Sequence, residues 1–250
     1  MDSTFYALPA RRTVARWAQI TPPRFAFDVK LHRLLSRHVA PVSSLPADLR
    51  DRATVADGGR VRIDPELEEA ICERTLRAVE PLRARGKFSS FLLQLTPAFE
   101  PRAHSLEELE PLLAALRPVP VAIELRHRAW LRDPEPTLEW FRAAGAVFVC
   151  VDVPRIAAPH AMPPFDAVTR EDLAYIRAHG RNEEGYVRGR SATARFDWEY
   201  SEGELEEIAR RARGLAADAD TVRLMFGNGS HAPGAAERMS GLLARGPAPR

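Results

Sequence analysis

Lysine and cysteine are scarce in this chain of 250 residues, and long apolar runs are missing. Only Lys30 and Lys87 are lysines, so arginine carries nearly all of the positive charge. Cys72 and Cys150 are the only cysteines and lack zinc-type spacing, so we expect buried free thiols in a reducing compartment. No apolar stretch approaches the roughly 18 residues of a membrane-spanning helix, and the first residues show no signal-peptide pattern. These absences predict a cytoplasmic protein without a membrane segment.

The balance of charge disfavours a nucleic-acid partner. The chain has 36 basic and 34 acidic residues, a net charge of +2. No basic stripe interleaved with aromatic residues is visible, as a nucleic-acid surface would require. Abundant alanine and proline beside arginine indicate GC-rich coding, so clusters of arginine are weaker evidence of function here. Composition leaves the oligomeric state open.

Six short apolar runs alternate with helical segments, and each run ends on polar residues or carries one. The runs are FAFDVK, FLLQL, VAIELRH, VFVCVD, AYIRAHGR and VRLMFGN. Apolar runs of this length between helices predict buried parallel strands in an α/β fold. The site of such a fold lies at the carboxyl ends of its strands. The polar ends of the six runs are therefore the candidate site.

No low-complexity stretch divides the chain, so we predict a single domain over residues 1–245, followed by a frayed tail at 246–250. Helices are predicted over about 11–19, 65–85, 134–144, 202–217 and 232–244, and the tail of a strand over 2–6. Ser105 with Glu108, and Ser201 with Glu204, fit capping boxes, and Pro111 should limit or kink the helix after the first. Residues 36–63 show no hydrophobic periodicity. We therefore predict an irregular insertion there, such as a lid or a flap. Residues 182–199 and 154–168 are also predicted to be irregular.

Alternation along each strand predicts which side chains share a face. The candidate catalytic residues are Glu124, His179 and Asp152, and the candidate substrate-binding residues are Lys30, Gln94, Arg126, His127, Arg177 and Asn228. Glu124 and His179 could transfer protons, while Asp152 could orient His179 or pair with an arginine. Arginine forks and Lys30 suit an anion such as phosphate or carboxylate. For each residue a purely structural role, such as an internal ion pair, remains open.

No metal is predicted at this site, and the sequence leaves the identity of any cofactor open. Carboxylates and histidines are present, but the arginines would repel a cation and no ligand spacing matches. No glycine-rich phosphate loop of the common kinds occurs, and no nucleophile elbow supports a serine hydrolase.

Several stretches together resemble the DUF72 (YecE-like) family of TIM-barrel-like proteins of unknown function. They are STFYALP (3–9), RWAQITPPRFAFDVK (16–30), LLQLTPAF (92–99), AIELRHRAWL (122–131), VCVD (149–152), AYIRAHGR (174–181), EYSEGEL (199–205) and FGN (226–228). The resemblance spans nearly the whole chain in the order of the family. It implies an α/β, TIM-barrel-like fold.

The chain departs from the pattern of this family in three places. Thr96 stands at the first proline of a QLPPSF-type motif, and Gly227 takes the place of one asparagine in an FNN-type motif. The family also begins with a strand that does not precede Met1, and a barrel without it would have two unpaired edges. We therefore expect either a start upstream of Met1 or an open barrel.

Two classes of function remain open on the sequence alone. One is an enzyme that acts on a small anionic or hydroxylated substrate, of the sugar or sugar phosphate type, by analogy of fold. The other is a non-catalytic ligand-binding or regulatory barrel, or an inactive truncated relative. Nucleic-acid binding is a third and disfavoured class.

Overall fold

A computed structural model describes residues 3–56, 58–189 and 191–245. The chain divides into two compact units, Met1–Ile123 and Glu124–Arg250, each of which is described by itself. The prediction of one domain over 1–245 stays a prediction, and the tail predicted to fray, residues 246–250, lies outside the described residues.

The first unit contains two long helices and a pair of parallel strands. Its elements are a 3-10 helix Ser3–Phe5, α1 (Arg11–Ile20), β1 (Phe27–Lys30), α2 (Ala47–Arg50), β2 (Thr54–Ala56), β3 (Arg60–Arg62), α3 (Pro65–Arg83), β4 (Phe88–Gln94) and α4 (Glu110–Leu116). Strand β5 (Val121–Glu124) closes it and ends on the first residue of the second unit. Strands β1 and β4 pair in parallel, with Lys30 opposite Leu92.

Local chemistry explains where α3 begins. The Asp64 side chain accepts a hydrogen bond of 2.9 Å from the backbone N–H of Leu67, and Pro65 fills the first helical position. Leu67 and Ile71 lie on the buried face of the helix. The predicted helix over 65–85 is therefore confirmed, with its end at Arg83.

Three predictions in the first unit need correction. The predicted strand tail over 2–6 is a 3-10 helix over Ser3–Phe5. Residues 36–63 are not simply irregular, because α2 and the antiparallel hairpin β2–β3 form there and bury Leu45 and Leu49. The capping box at Ser105 forms as predicted, but it opens a 3-10 turn, after which Pro111 lies in the first turn of α4.

The second unit repeats a strand–helix order around three parallel strands. Its elements are a 3-10 helix Arg128–Leu131, α5 (Pro134–Ala144), β6 (Val147–Asp152), β7 (Ala174–Ala178), α6 (Glu183–Arg188), α7 (Ala192–Phe196), α8 (Glu202–Leu215), β8 (Val222–Phe226) and α9 (Ala232–Ala244). Strand β7 pairs in parallel with β6 on one side and with β8 on the other. Every residue of β6 and β7 is buried, as expected of parallel strands covered on both faces.

Helices α8 and α9 supply much of the core of the second unit. Leu205 and Ile208 of α8 and Met239 of α9 are buried together with Tyr200. The capping box predicted at Ser201 is present: its backbone N–H donates to Glu204 Oε2 at 2.8 Å, and its hydroxyl accepts from the Glu204 N–H. The prediction that 182–199 is irregular is wrong, because α6 and α7 form within it.

Among the described helices, none combines the length and the apolar character needed to cross a bilayer.

Candidate functional site

Glu124, the last residue of β5, lies at the centre of a buried charged cluster in the second unit. Arg177 Nη1 donates to Glu124 Oε2 at 2.5 Å, and Arg126 Nη1 donates to Glu124 Oε1 at 3.1 Å. His179 Nε2 lies 3.0 Å from the same Oε1 atom. The alternation along two strands predicted this set of side chains, and the structure brings all four of them together.

The surroundings hold Glu124 in its ionised form. Burial alone would raise the pKa of the carboxyl group, but Arg177, His179 and Arg126 outweigh burial and hold the pKa well below its usual value. An ionised carboxylate only accepts hydrogen bonds, so the Nε2 atom of His179 must carry the hydrogen between them. In the neutral ring, the Nδ1 atom is then a hydrogen-bond acceptor.

His179 is neutral at neutral pH. Burial lowers the pKa of its imidazole to about 4, and Arg177 and Arg126 add to the lowering, although Glu124 opposes it. A Cβ atom built on Gly227 would lie 3.3 Å from His179 Nδ1, so the absence of a side chain at this position leaves room beside the acceptor atom. Position 227 is also where the chain departs from the FNN-type pattern.

Two aromatic residues complete the cluster, and sequence reasoning missed both. The Tyr186 hydroxyl, on α6, accepts a hydrogen bond of 3.2 Å from Arg126 Nη2. The ring of Phe196, on α7, lies 5.3 Å from the ring of His179. The signal for α6 was Asn182, which caps the helix by accepting from the Gly185 N–H and precedes two glutamates.

Asp152, at the end of β6, belongs to a second cluster. Its carboxylate accepts hydrogen bonds from Arg181 at 2.8 and 3.0 Å, from Arg211 at 3.3 Å and from the Tyr200 hydroxyl at 2.8 Å. Asp152 was predicted either to orient His179 or to pair with an arginine, and in the structure it pairs with arginines. The carboxylate is not hydrogen-bonded to the His179 ring, whose partner is Glu124; only the backbone O of Asp152 accepts from the His179 N–H.

Tyr200 connects this second cluster to the backbone beside His179. Its hydroxyl accepts a hydrogen bond of 2.8 Å from the Gly180 N–H and donates one to Asp152. Gly180 has φ = +90°, and a Cβ atom there would lie 2.6 Å from the Trp198 Cβ atom, so only glycine fits. The turn that follows His179 is thus fixed by backbone geometry and by one buried hydroxyl.

Of the other predicted residues, Asn228 and His127 serve local structure, and two belong to the first unit. Asn228 is buried and donates from Nδ2 to the Trp198 O atom at 2.8 Å, while its Oδ1 atom has no hydrogen-bond partner among the described residues. His127 caps the 3-10 helix that follows β5, accepting from the Ala129 N–H at 3.4 Å. Lys30 and Gln94 belong to the first unit, at the ends of β1 and β4.

In the part of the chain that the structure describes, no group of three or more His, Cys, Asp or Glu side chains could hold a metal ion.

Comparison with known proteins identifies the family. The family model described as "Protein of unknown function DUF72" matches residues 1–250. The chain belongs to the DUF72 family. A relative from Bacillus subtilis (strain 168), the UPF0759 protein YunF, is 25% identical over 236 residues, covering 92% of this chain and 76% of the relative.

Solved structures of DUF72 family proteins share the fold. One from Enterococcus faecalis V583 aligns with a TM-score of 0.81 at 23% identity, covering 98% of this chain and 83% of the other. One from Thermotoga maritima MSB8 aligns with a TM-score of 0.74 at 28% identity, covering 96% of this chain and 82% of the other. The α/β, TIM-barrel-like fold expected of this DUF72 chain is therefore confirmed.

Proposed function

We propose that the Glu124 cluster is the site of an enzyme acting on a small anionic, hydroxylated substrate of the sugar or sugar phosphate type. The observation that carries the proposal is one buried carboxylate shared by two guanidinium groups and by a neutral histidine. In this proposal His179 exchanges a proton with the substrate, Glu124 orients the imidazole ring, and Arg126 binds the anionic group.

The charges of the cluster favour an anionic ligand. Arg126 donates to Glu124 and to the Tyr186 hydroxyl, and among the described residues it meets no second carboxylate. Arg177 donates to the same carboxylate of Glu124. Burying a cation is costly unless an anion compensates it. A phosphate or carboxylate group would supply that compensation and suits the planar fork of an arginine.

The protonation states favour His179 over Glu124 as the group that transfers the proton. Glu124 has a lowered pKa, which makes it a weak base and an effective orienting group. His179 presents an unprotonated Nδ1 atom, and a nearby substrate anion would raise the pKa of the imidazole from about 4 toward neutral pH. A base works best when its pKa is near the working pH.

A second candidate is a non-catalytic ligand-binding protein, which is favoured because the pKa values of the buried Glu124 and His179 both lie below neutral pH. Glu124 is 0% exposed, His179 3% and Arg126 5%. A binding protein would use the same arginine and hydroxyl groups without any proton transfer.

Binding is tested first, with a panel of sugar phosphates and sugar acids measured by thermal shift and then by calorimetry on the full chain. We expect one chemical class to bind, with the R126Q variant weakening binding at least tenfold. The matched control is Arg188→Gln, because Arg188 is an exposed arginine that pairs with the exposed Glu184. Equal binding by R126Q and wild type would contradict the role of Arg126.

Turnover separates the two candidates. With the ligand found, proton NMR in D₂O reports both product formation and exchange of substrate hydrogens for deuterium. An enzyme should lose both in H179Q and in E124Q while ligand binding persists. Binding without exchange or product in the wild type would favour the ligand-binding protein instead.

A further inference from the structure

A tight turn after β1 gathers three basic side chains around the ring of Phe5 in the first unit. Lys30 Nζ lies 4.3 Å and Arg33 Cζ 5.8 Å from the centroid of this ring. The ring of His38 meets Phe5 edge-on, with the centroids 5.1 Å apart. We propose that this Phe5 cluster, formed by Phe5, Lys30, Arg33 and His38, binds a small oxyanion such as phosphate.

The backbone fixes the arrangement. The Arg33 N–H donates to the Phe5 O atom at 3.0 Å, and the His38 N–H donates to the Arg33 O atom at 2.8 Å. The Thr4 hydroxyl donates to the Lys30 O atom at 2.6 Å, which ties the 3-10 helix to the end of β1. The basic groups therefore sit on a preformed frame, as a binding site requires.

Among the described residues, Arg33 has no carboxylate partner, in contrast to Arg37. Arg37 forms an ion pair with Glu68 and donates to the Glu108 O atom. Arg33 forms no ion pair with any described residue, and its Nε atom is buried without a hydrogen-bond partner. A buried donor without a partner is costly, and an oxyanion would satisfy both the donor and the charge.

The ring of His38 gives a second observation on the Phe5 cluster. Its Nε2 atom lies 3.3 Å from the Gln94 O atom, a carbonyl that only accepts, so Nε2 carries the hydrogen. Burial lowers the pKa of His38, and Lys30 and Arg33 lower it further. A bound oxyanion would oppose this lowering of the His38 pKa.

The Phe5 cluster consists of residues of the first unit only, so it does not depend on the function proposed for the Glu124 cluster. Its ligand could be free phosphate or the phosphate group of a larger molecule. Both sources present the same oxygen atoms to Arg33, and inorganic phosphate is the simplest probe.

The test is calorimetric titration of the full chain with inorganic phosphate at low ionic strength. We expect binding in the wild type, a loss of at least tenfold in the R33Q variant, and an intermediate affinity in R33K, which keeps the charge but not the fork. The control is Arg24→Gln, since Arg24 is an exposed arginine of the same unit and the change in charge is identical. A titration with a sugar phosphate, run in parallel, shows which source binds more tightly.

NMR of the imidazole nitrogens gives a local readout. Saturating phosphate should raise the pKa of His38 in the wild type and in R24Q, but not in R33Q. Wild-type protein that does not bind millimolar phosphate, or R33Q that binds like the wild type, would overturn the proposal. Binding that depends on Arg126 and not on Arg33 would also overturn it, while leaving the function proposed for the Glu124 cluster standing.

Discussion

Glu124 controls the protonation of His179 through charge and through a hydrogen bond. Because the carboxylate opposes the lowering of the His179 pKa, replacing Glu124 by glutamine should move that pKa further below about 4. A pH titration of the imidazole nitrogens by NMR measures the shift. Glu184→Gln, a change at an exposed glutamate, should leave the titration as in the wild type. An upward shift in E124Q would contradict the arrangement.

Gly180, beside the Glu124 cluster, is a backbone position that does not tolerate a side chain. Alanine there would be strained at φ = +90° and would collide with Trp198. We expect Gly180→Ala to lower the free energy of unfolding in urea by about 2–4 kcal/mol. Gly214→Ala, at an exposed position of α8 where an added Cβ meets nothing within 4 Å, should instead stabilise by about 0.5–1 kcal/mol. Similar values for the two variants would contradict this account.

Among single residues, sequence patterns predicted the four charged or titratable groups at the centre of the candidate site but missed Tyr186 beside them. Glu124 and Arg126 alternate at the end of one predicted strand and Arg177 and His179 at the end of another, so period-two reasoning grouped them correctly. Tyr186 arrives from a helix of six residues, which is too short to show a helical period. Its contact with Arg126 depends on tertiary packing, which alternation along a strand does not report.

The ends of β6 and β7 are joined by the Tyr200 hydroxyl. Tyr200→Phe keeps the packing of the ring but leaves the Gly180 N–H unpaired and removes one donor from Asp152. We expect the free energy of unfolding in urea to fall by about 1–3 kcal/mol. Tyr6→Phe is the matched control, because the Tyr6 side chain is largely exposed and its change should cost little. A Y200F variant as stable as the wild type would show that the bridge contributes nothing.

Long elements with local start and stop signals were predicted closely, and very short elements were not. Helix α5 spans 134–144 as predicted, since Pro134 opens it and Gly145, at φ = +66°, closes it. The hairpin β2–β3 and helix α7 are only three to five residues long. Elements this short depend on contacts with the rest of their unit, so periodicity does not reveal them.

Two buried histidines make the stability of the whole chain depend on pH. His32 in the first unit and His179 in the second each have a pKa lowered from 6.5 to about 4. Below pH 6.5 the unfolded chain takes up protons that the folded chain does not, so unfolding becomes easier. The stability is present above pH 6.5 and falls between pH 6.5 and about 4, by up to about 3 kcal/mol for each histidine.

Urea unfolding at a series of pH values measures this loss, and replacing both histidines by glutamine should flatten the profile. Carboxylates with a lowered pKa, such as Glu124, reduce the stability only when the pH falls below their usual pKa of 4.5. Their effect on the profile therefore lies at lower pH than that of the two histidines. A wild-type profile that is level from pH 6.5 to 4.5 would contradict the burial of two neutral histidines.

The central claim is that His179 is neutral at neutral pH, with its hydrogen on Nε2 toward ionised Glu124 and with Nδ1 as an acceptor. The most direct test is a two-bond proton–nitrogen NMR spectrum of the imidazole rings at neutral pH, assigned with the H179Q variant. We expect one protonated nitrogen, Nε2, and an unprotonated Nδ1 for His179. Two protonated nitrogens would mean an imidazolium ion, and His179 could not then serve as the proton acceptor.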